Sequence, residues 1–462
     1  MKNREEKKES ENKNIATVTG DPKRAIRKLS WPIMVSMFVT FTYNLADTIW
    51  VAGLGTDSLA ALGFFMPIFL IIIGLGNGIG AGTNSLIARA IGGKNKKKAD
   101  NVAMHGILIT VIISIIAPII LIFFLNNILL LMGAGTVAPL TAQYATITLI
   151  GLIVLLLPSV GGSILRSEGD VNRAMNVMVI TAILNIILDP IFIYVLKLGL
   201  AGAAYATLIS SSVSTLIIFY WLLVKKDTYL NISKEDFNFD LRIIKEIIYI
   251  AIPATSEIVI FSIVSLIINF MLSMTAGALG VAVYTAGWRI VSLAMIPHMG
   301  LATATLTVIG AAYGGKKFKK LTTTYNYSIK LGLTISTIIG ILIFIFAPQI
   351  SMIFSYSDAS LIPDISEFLR IISIFCIALP FGIISSLTFQ GLGKAFISLI
   401  LTIQRALLFE VIFMYLFAFM LNMEVYGIWW GLAIGGIIGY LVSFLVTKIY
   451  LRKLNKIYVK NE

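Results

Sequence analysis

Two carboxylates stand inside apolar runs long enough to cross a bilayer. Asp47 lies in Asn44-Leu45-Ala46-Asp47-Thr48, within the stretch from Trp31 to Val51, and Asp189 lies in Asn185-Ile186-Ile187-Leu188-Asp189-Pro190. A carboxylate at membrane depth costs a few kcal/mol or more, so it faces a cavity and marks an ion or substrate path. The alternative is that Asp47 sits at a helix end among headgroups and only caps structure. Taking Leu29 and Arg173 as the starts of the two spans, a rise of about 1.5 Å per residue puts Asp47 roughly 27 Å and Asp189 roughly 24 Å along them. Asn185, one turn before Asp189, shares its helical face. Tyr144 and Thr207 enter on two further spans from the opposite side and lie roughly 8–10 Å deep. These polar side chains, from four spans, converge on one level. Thr207 and Tyr144 could each be satisfied by their own backbone; two acids could not.

Two carboxylates, an amide and a hydroxyl make a hard-oxygen set suited to a small cation such as Na⁺, with Asp47, Asn185, Asp189 and Thr207 as the candidate ligands. The same two carboxyls, drawn out of water and repelling each other, could instead carry a proton. Pro190 removes a helical hydrogen bond and frees the carbonyl of Ile186. That bend is either a fixed kink or one that changes with protonation. The second half of the chain differs. Glu257, Arg289 and Arg405 fall near mid-depth on three spans, and Arg370 and Glu410 share a level nearer the outside. Opposite charges at matching depth fit either structural ion pairs or a substrate cavity.

The elements that must hold these residues are apolar runs of spanning length. They lie near 29–52, 60–91, 101–125, 139–164, 173–196 and 201–224, and again near 247–273, 280–312, 324–347, 364–388, 396–420 and 427–450. The second and eighth are long and glycine-rich, which predicts tilt or bending. Basic residues alternate between connections. The N-terminal tail, 92–100, 225–245, 313–323 and the C-terminal tail are basic; 53–59, 126–138, 274–279, 348–362 and 421–426 hold no Lys or Arg, and only Lys197 breaks the pattern. The positive-inside rule then places both termini in the cytoplasm of a multi-pass cell-membrane protein.

Composition narrows the classes further. Of 462 residues, 58% are hydrophobic and 13% charged, about half the charge fraction of a soluble domain. One cysteine, Cys376, excludes a disulfide framework or cysteine metal cluster, and two histidines, His105 and His298, leave little for zinc or a His-based triad. The net charge of +13 is spread between apolar spans, so it reads as membrane orientation rather than nucleic-acid binding. Residues 1–25 are polar with no apolar core, which predicts a disordered cytoplasmic tail rather than a signal peptide, becoming an interfacial helix near Pro22 to Lys28.

The chain also repeats. Pro32 and Pro253, Gly92-Gly93-Lys94 and Gly314-Gly315-Lys316, Pro158 and Pro380, Gly169 and Gly393, and Gly202 and Gly427 are all 221–225 residues apart. The predicted fold is therefore all-α: twelve transmembrane helices in two pseudo-symmetric six-helix lobes of the same orientation, the parallel-repeat plan. The expected divisions are a tail to 25, a lobe over 26–226, a linker over 227–245, a second lobe over 246–451 and a cytoplasmic tail from 452.

With these residues in view, the chain resembles the multidrug and toxic compound extrusion (MATE) family of efflux transporters, nearest its archaeal and DNA-damage-inducible type. The likeness runs through Tyr43-Asn44-Leu45-Ala46-Asp47-Thr48 with Gly53-Leu54-Gly55, and through Ala90-Ile91-Gly92-Gly93-Lys94. It continues in Leu165-Arg166-Ser167-Glu168-Gly169-Asp170, the Asn185-to-Pro190 segment and Gly314-Gly315-Lys316. The resemblance implies a V of two lobes, alternating access, and export of organic cations and other amphiphilic drugs driven by inward H⁺ or Na⁺. It implies no cofactor, the lipid bilayer as surroundings, and coupling at Asp47, Tyr144, Asn185, Asp189 and Thr207. The norfloxacin-exporter branch uses a Glu in the seventh span with an Asp in the tenth. Glu257 matches the first, but the tenth span here has no carboxylate between Glu367 and Ser386. In the cycle this implies, cation binding repacks the first and fifth spans and releases substrate outward, and the emptied site reloads drug from the cytoplasm. A lipid or lipid-linked oligosaccharide flippase of related fold is the alternative, although such proteins carry extra helices and a cationic cavity. A membrane enzyme would need His, Asp or Ser clustered at a face, and a passive channel fits poorly with halves so different in charge. No assembly motif beyond scattered Gly stands out, so a monomer is expected.

Overall fold

Inside a bilayer each backbone N–H and C=O must find its partner within the protein, and a helix provides that within one segment. The computed structural model describes residues 14–225, 227–233, 237–354 and 359–459, and among them there is no strand. Helix α1 covers 14–19. It is followed by α2 (Pro22–Ala52), α3 (Thr56–Gly92), α4 (Lys96–Leu131), α5 (Ala138–Ile150) and α6 (Leu152–Ser167). Next come α7 (Val171–Val195) and α8 (Gly199–Lys225), then α9 (Leu241–Gly314), α10 (Phe318–Ile345), α11 (Ala347–Phe354) and α12 (Ile362–Gly391). The last two are α13 (Ala395–Met420) and α14 (Glu424–Val459).

Nine helices among the described residues are long and apolar enough to cross a membrane, and α5 with α6, bent by 51°, make a tenth span. The bend falls at Gly151, where a side chain would overlap Leu208. α9, 74 residues long, holds two spans: Gly277 takes φ 61°, ψ −148°, a conformation that needs glycine. α2 is less apolar but has 31 residues, enough to cross. Counted this way, the described residues supply the twelve spans expected.

Three boundaries differ from expectation. The disordered tail was predicted to reach residue 25, yet 14–19 is helical and Val18 is buried. The short apolar run Ile15–Val18 explains it: Gly169 comes so close that a Cβ there would lie 2.7 Å from the Asn14 carbonyl and 2.9 Å from Val18. Disorder predicted over 1–13 lies outside the described residues. The C-terminal tail, expected from 452, continues as α14 to Val459. The linker predicted over 227–245 already gives way to α9 at Leu241.

The chain forms two compact units. One comprises residues to Asp21 with Val35–Thr255; the other comprises Pro22–Met34 with Ser256–Glu462. The first residues of α2 and α9 thus pack with the opposite half of the sequence, because small-residue faces admit them. In the first unit, a Cβ on Gly82 would stand 2.7 Å from the Ile247 carbonyl, and Thr255 Oγ1 donates to Gly74 O at 2.8 Å. In the second, Gly300 leaves room for Met34, whose Cγ lies 2.6 Å from where a Cβ would be.

The connection into α9 is bound along the first unit. Arg173 grips Asp227 through both guanidinium nitrogens, Nη1 to Oδ1 at 2.9 Å and Nη2 to Oδ2 at 2.8 Å. Partial burial opposes ionisation of Asp227, but Lys225 and Arg173 outweigh it and hold the carboxyl below the ordinary carboxylate range. Leu230 N–H donates to Glu168 Oε2 at 3.1 Å and Asn231 N–H to Asp100 Oδ1 at 2.8 Å. His105 Nε2 accepts from Asp240 N–H at 3.0 Å, so its proton resides on Nδ1, 2.8 Å from Asn101 O. His105 is therefore a structural residue, as is His298, bonded to Ser336 Oγ at 2.6 Å.

Candidate cation site

The first unit gathers Asp47 from α2, Tyr144 from α5, Asn185 and Asp189 from α7, and Thr207 from α8. Asp189, Asn185 and Tyr144 are buried, and Asp47 and Thr207 half-buried. The i, i+4 spacing on α7 puts Asn185 Nδ2 3.2 Å from Asp189 Oδ1, and the same nitrogen lies 3.3 Å from Thr207 Oγ1. With the amide nitrogen engaged there, Asn185 Oδ1 is left free to accept. Asp47 Oδ1, Asn185 Oδ1 and Asp189 Oδ2 are all buried without a hydrogen-bond partner among the described residues. Buried oxygens without donors are costly, and three such acceptors together are the kind of set that a cation satisfies. Asp47 and Asp189 are close enough to interact electrostatically, and both charges act on the hydroxyls of Tyr43 and Tyr144.

Local structure explains how these side chains are held. Tyr144 is wedged edge-on against Phe65, with ring centroids 5.0 Å apart, in a core that includes Val51, Leu149 and Ile193. After Pro190 the helix opens into wider π-type turns over Ile191–Val195, as expected where a proline removes one rung of the ladder. Those turns carry Tyr194 round to the end of α2. Its hydroxyl donates to Trp50 O at 2.5 Å, and its ring meets Trp50 edge-on at 6.3 Å. Gly53 makes room for that hydroxyl, which a Cβ at Gly53 would overlap. The helices bearing Asp47 and Asp189 are thereby latched a few residues beyond the two acids. Neither Tyr43 nor the Tyr194–Trp50 latch was among the predicted site residues. Tyr43 could have been found, since it sits one turn before Asp47 on the same face.

The second unit holds a different arrangement. Glu257, Arg405 and Glu410 are buried, whereas Arg289 and Arg370 are exposed on their helices. No ion pair within 4.0 Å joins Arg405 to an acid among the described residues. Instead Arg405 Nη1 donates to Ser386 Oγ at 3.1 Å, and the guanidinium lies over the rings of Tyr440 and Phe261 at 5.0 and 5.5 Å. Glu257 Oε1 accepts from Ser398 Oγ at 2.5 Å and Gln390 Nε2 at 3.2 Å. Glu257 is thus held by hydroxyl and amide donors and Arg405 by a hydroxyl and aromatic faces, with Arg405 near enough to Glu257 and Glu410 to act on both electrostatically. Arg405 and Glu410 lie in a run of π-type turns, Gln404–Val411, which turns both inward. Among the described residues no cluster of three or more His, Cys, Asp or Glu side chains could hold a metal.

A family model, MatE, matches residues 32–191 and 253–416. The FAD transporter of Shewanella oneidensis is 28% identical over 368 residues, 78% of this chain and 80% of that protein. The multidrug export protein MepA of Staphylococcus saprophyticus is 25% identical over 433 residues, 92% of this chain and 93% of that one. A solved structure described as the outward-facing conformation of a multidrug resistance MATE family transporter of the MOP superfamily is 43% identical. It covers 96% of this chain and 99% of its own, with a TM-score of 0.94.

Proposed function

Because this chain belongs to the MatE family, we propose that it is a secondary antiporter that exports amphiphilic, mainly cationic organic compounds in exchange for inward H⁺ or Na⁺. The observation that carries the coupling half of this reading is the trio of buried, partnerless oxygens on Asp47, Asn185 and Asp189. Tyr144, Thr207 and Tyr43 complete the site. A cation entering from outside satisfies the trio, and its departure leaves two carboxylates repelling each other between α2 and α7. That repulsion works against the Tyr194–Trp50 latch, so occupancy alters how the two helices pack. Cation and cargo then weaken each other's binding, as linkage requires of an exchanger. The basic connections support a cell-membrane protein with both termini cytoplasmic, acting as a monomer.

Purified protein in proteoliposomes tests this under an imposed Na⁺ or pH gradient, with a fluorescent organic cation and FAD as alternative cargoes. One gradient is expected to drive transport, with Asp47→Asn and Asp189→Asn each abolishing it while inserting normally. Wild-type export rates in those two variants would sink the proposal.

A further inference from the structure

Lys330 stands on α10 at a depth where its charge needs a partner. Counting about 20 residues of hydrocarbon core back from Ile345, where α10 ends, the core begins near residue 326, so Lys330 lies about 6 Å inside it. The same count from Glu424, where α14 begins, ends near Phe444, one turn short of Lys448. With the orientation proposed above, both lysines lie at the cytoplasmic boundary. Lys330 is exposed, and its ammonium has no hydrogen bond, ion pair or ring contact among the described residues. Lys448 lies over the Phe444 ring at 5.2 Å.

Between α10 and α14, both in the second unit, runs a groove of about 580 Å³. Asn326 and Lys330 stand at its cytoplasmic end; Ile329, Leu333, Thr334, Thr337, Ile338 and Phe444 line the rest. From Asn326 to Ile338 is about 18 Å along the helix, close to one leaflet's share of a core about 30 Å thick. Thr334, inside the groove, satisfies its hydroxyl on Lys330 O at 3.0 Å and so offers no competing polarity. The groove is thus polar and cationic at the headgroup level and mainly apolar toward the midplane, where Thr337 adds one further hydroxyl. An ammonium at this depth is stabilised by reaching an interfacial anion, and the protein supplies none.

We propose that this groove is a binding site for one anionic phospholipid of the cytoplasmic leaflet. Its phosphate sits on Lys330, with Lys448 and Asn326 at the headgroup level and an acyl chain along Leu333 and Ile338. The inference goes beyond the transport reading and depends only on the orientation. Surrounding lipid would exchange without regard to headgroup; a site discriminates.

Native mass spectrometry of the full chain, incubated with phosphatidylglycerol and phosphatidylcholine of identical acyl chains, makes the test. Wild type is expected to retain phosphatidylglycerol roughly five- to tenfold better. Lys330→Gln should bring the two lipids near parity, and Lys330→Arg should restore the preference. Lys319→Gln, in the first turn of the same helix, should leave it unchanged. Glycerol phosphate, the soluble headgroup, should not displace the lipid. Equal retention of both lipids by wild type overturns the proposal whatever the variants do. So does a loss in Lys319→Gln as large as in Lys330→Gln, which would mean diffuse charge. Displacement by glycerol phosphate overturns it too, by making this a free phosphate site.

Discussion

Replacing Gly53 with Ala places a Cβ on the Tyr194 hydroxyl, the group that ties α7 to α2 just beyond the two acids. Gly53 does not have a positive φ, so alanine's backbone preference is no obstacle and the effect is steric. Overpacking of this kind costs about 1–3 kcal/mol. Tyr194→Phe removes the overlapping atom and the hydrogen bond together. Because Trp50 O also accepts from Gly53 N–H at 3.2 Å, that carbonyl is not orphaned, and the loss should be about 1 kcal/mol. In the double variant the nearest remaining atoms to the new Cβ are Trp50 O and the Tyr194 Cζ position, both 3.3 Å away, which a shift of a few tenths of an ångström relieves.

The two substitutions should therefore be non-additive, the double variant being more stable than the sum of the singles by about 1–2 kcal/mol, within the range for residues in contact. Apparent melting in detergent moves about 2–4 °C per kcal/mol for a unit of this size. Gly53→Ala should thus lower it by several degrees, and adding Tyr194→Phe should recover part of that loss instead of deepening it. Transport should show the same order if the latch positions Asp47 and Asp189. Additivity within about 0.5 kcal/mol would refute the reasoning, because the clash would then not be with the Tyr194 hydroxyl.

Two further outcomes are expected from the backbone and from the connection into α9. Gly277→Ala forces a Cβ into φ 61°, ψ −148°, a region open essentially to glycine alone, costing about 1–3 kcal/mol; a fall of a few degrees in apparent melting temperature is expected, as large for Gly277→Asn, and an unchanged melting temperature in either variant would count against backbone strain. The Asp227 carboxyl is held below its ordinary range, so its contribution is complete above about pH 4 and is lost as pH falls through the lower folded value. Limited proteolysis should find residues 227–233 protected at pH 5–7 and cut faster below about pH 4. Arg173→Ala should give the faster cutting already at pH 7, and equal protection in that variant would dismiss the pair as an anchor.

What could be read from the sequence depended on whether the physics was local. The spans were legible because each is a long apolar run closed by charge or glycine, and a helix is the structure that satisfies such a run within itself. The contact of Asn185 with Asp189 was legible for the same reason: four residues apart on one helix is already adjacency. The depth count brought four helices to one level, but depth says nothing of azimuth. That is why Arg405 and Glu257, expected to be possible ion-pair partners, instead meet Ser386 and aromatic rings on one side and Ser398 with Gln390 on the other. The wide turns at Ile191–Val195 and Gln404–Val411 compound this, since each rotates the helix beyond it away from the 3.6-residue period on which facing is judged. Pro190 announces the first; nothing in Gln404–Val411 announces the second. Tyr194 reaches Trp50 only because of such a turn, so the latch is a consequence of Pro190 that spacing alone hides. The membership of 22–34 and 241–255 in the opposite units rests on close approaches at Gly82 and Gly300. A glycine records that something comes near without recording what. In this chain, then, the chemistry of the site is carried by residue type and depth, while its coupling to the helices around it is carried by rotation.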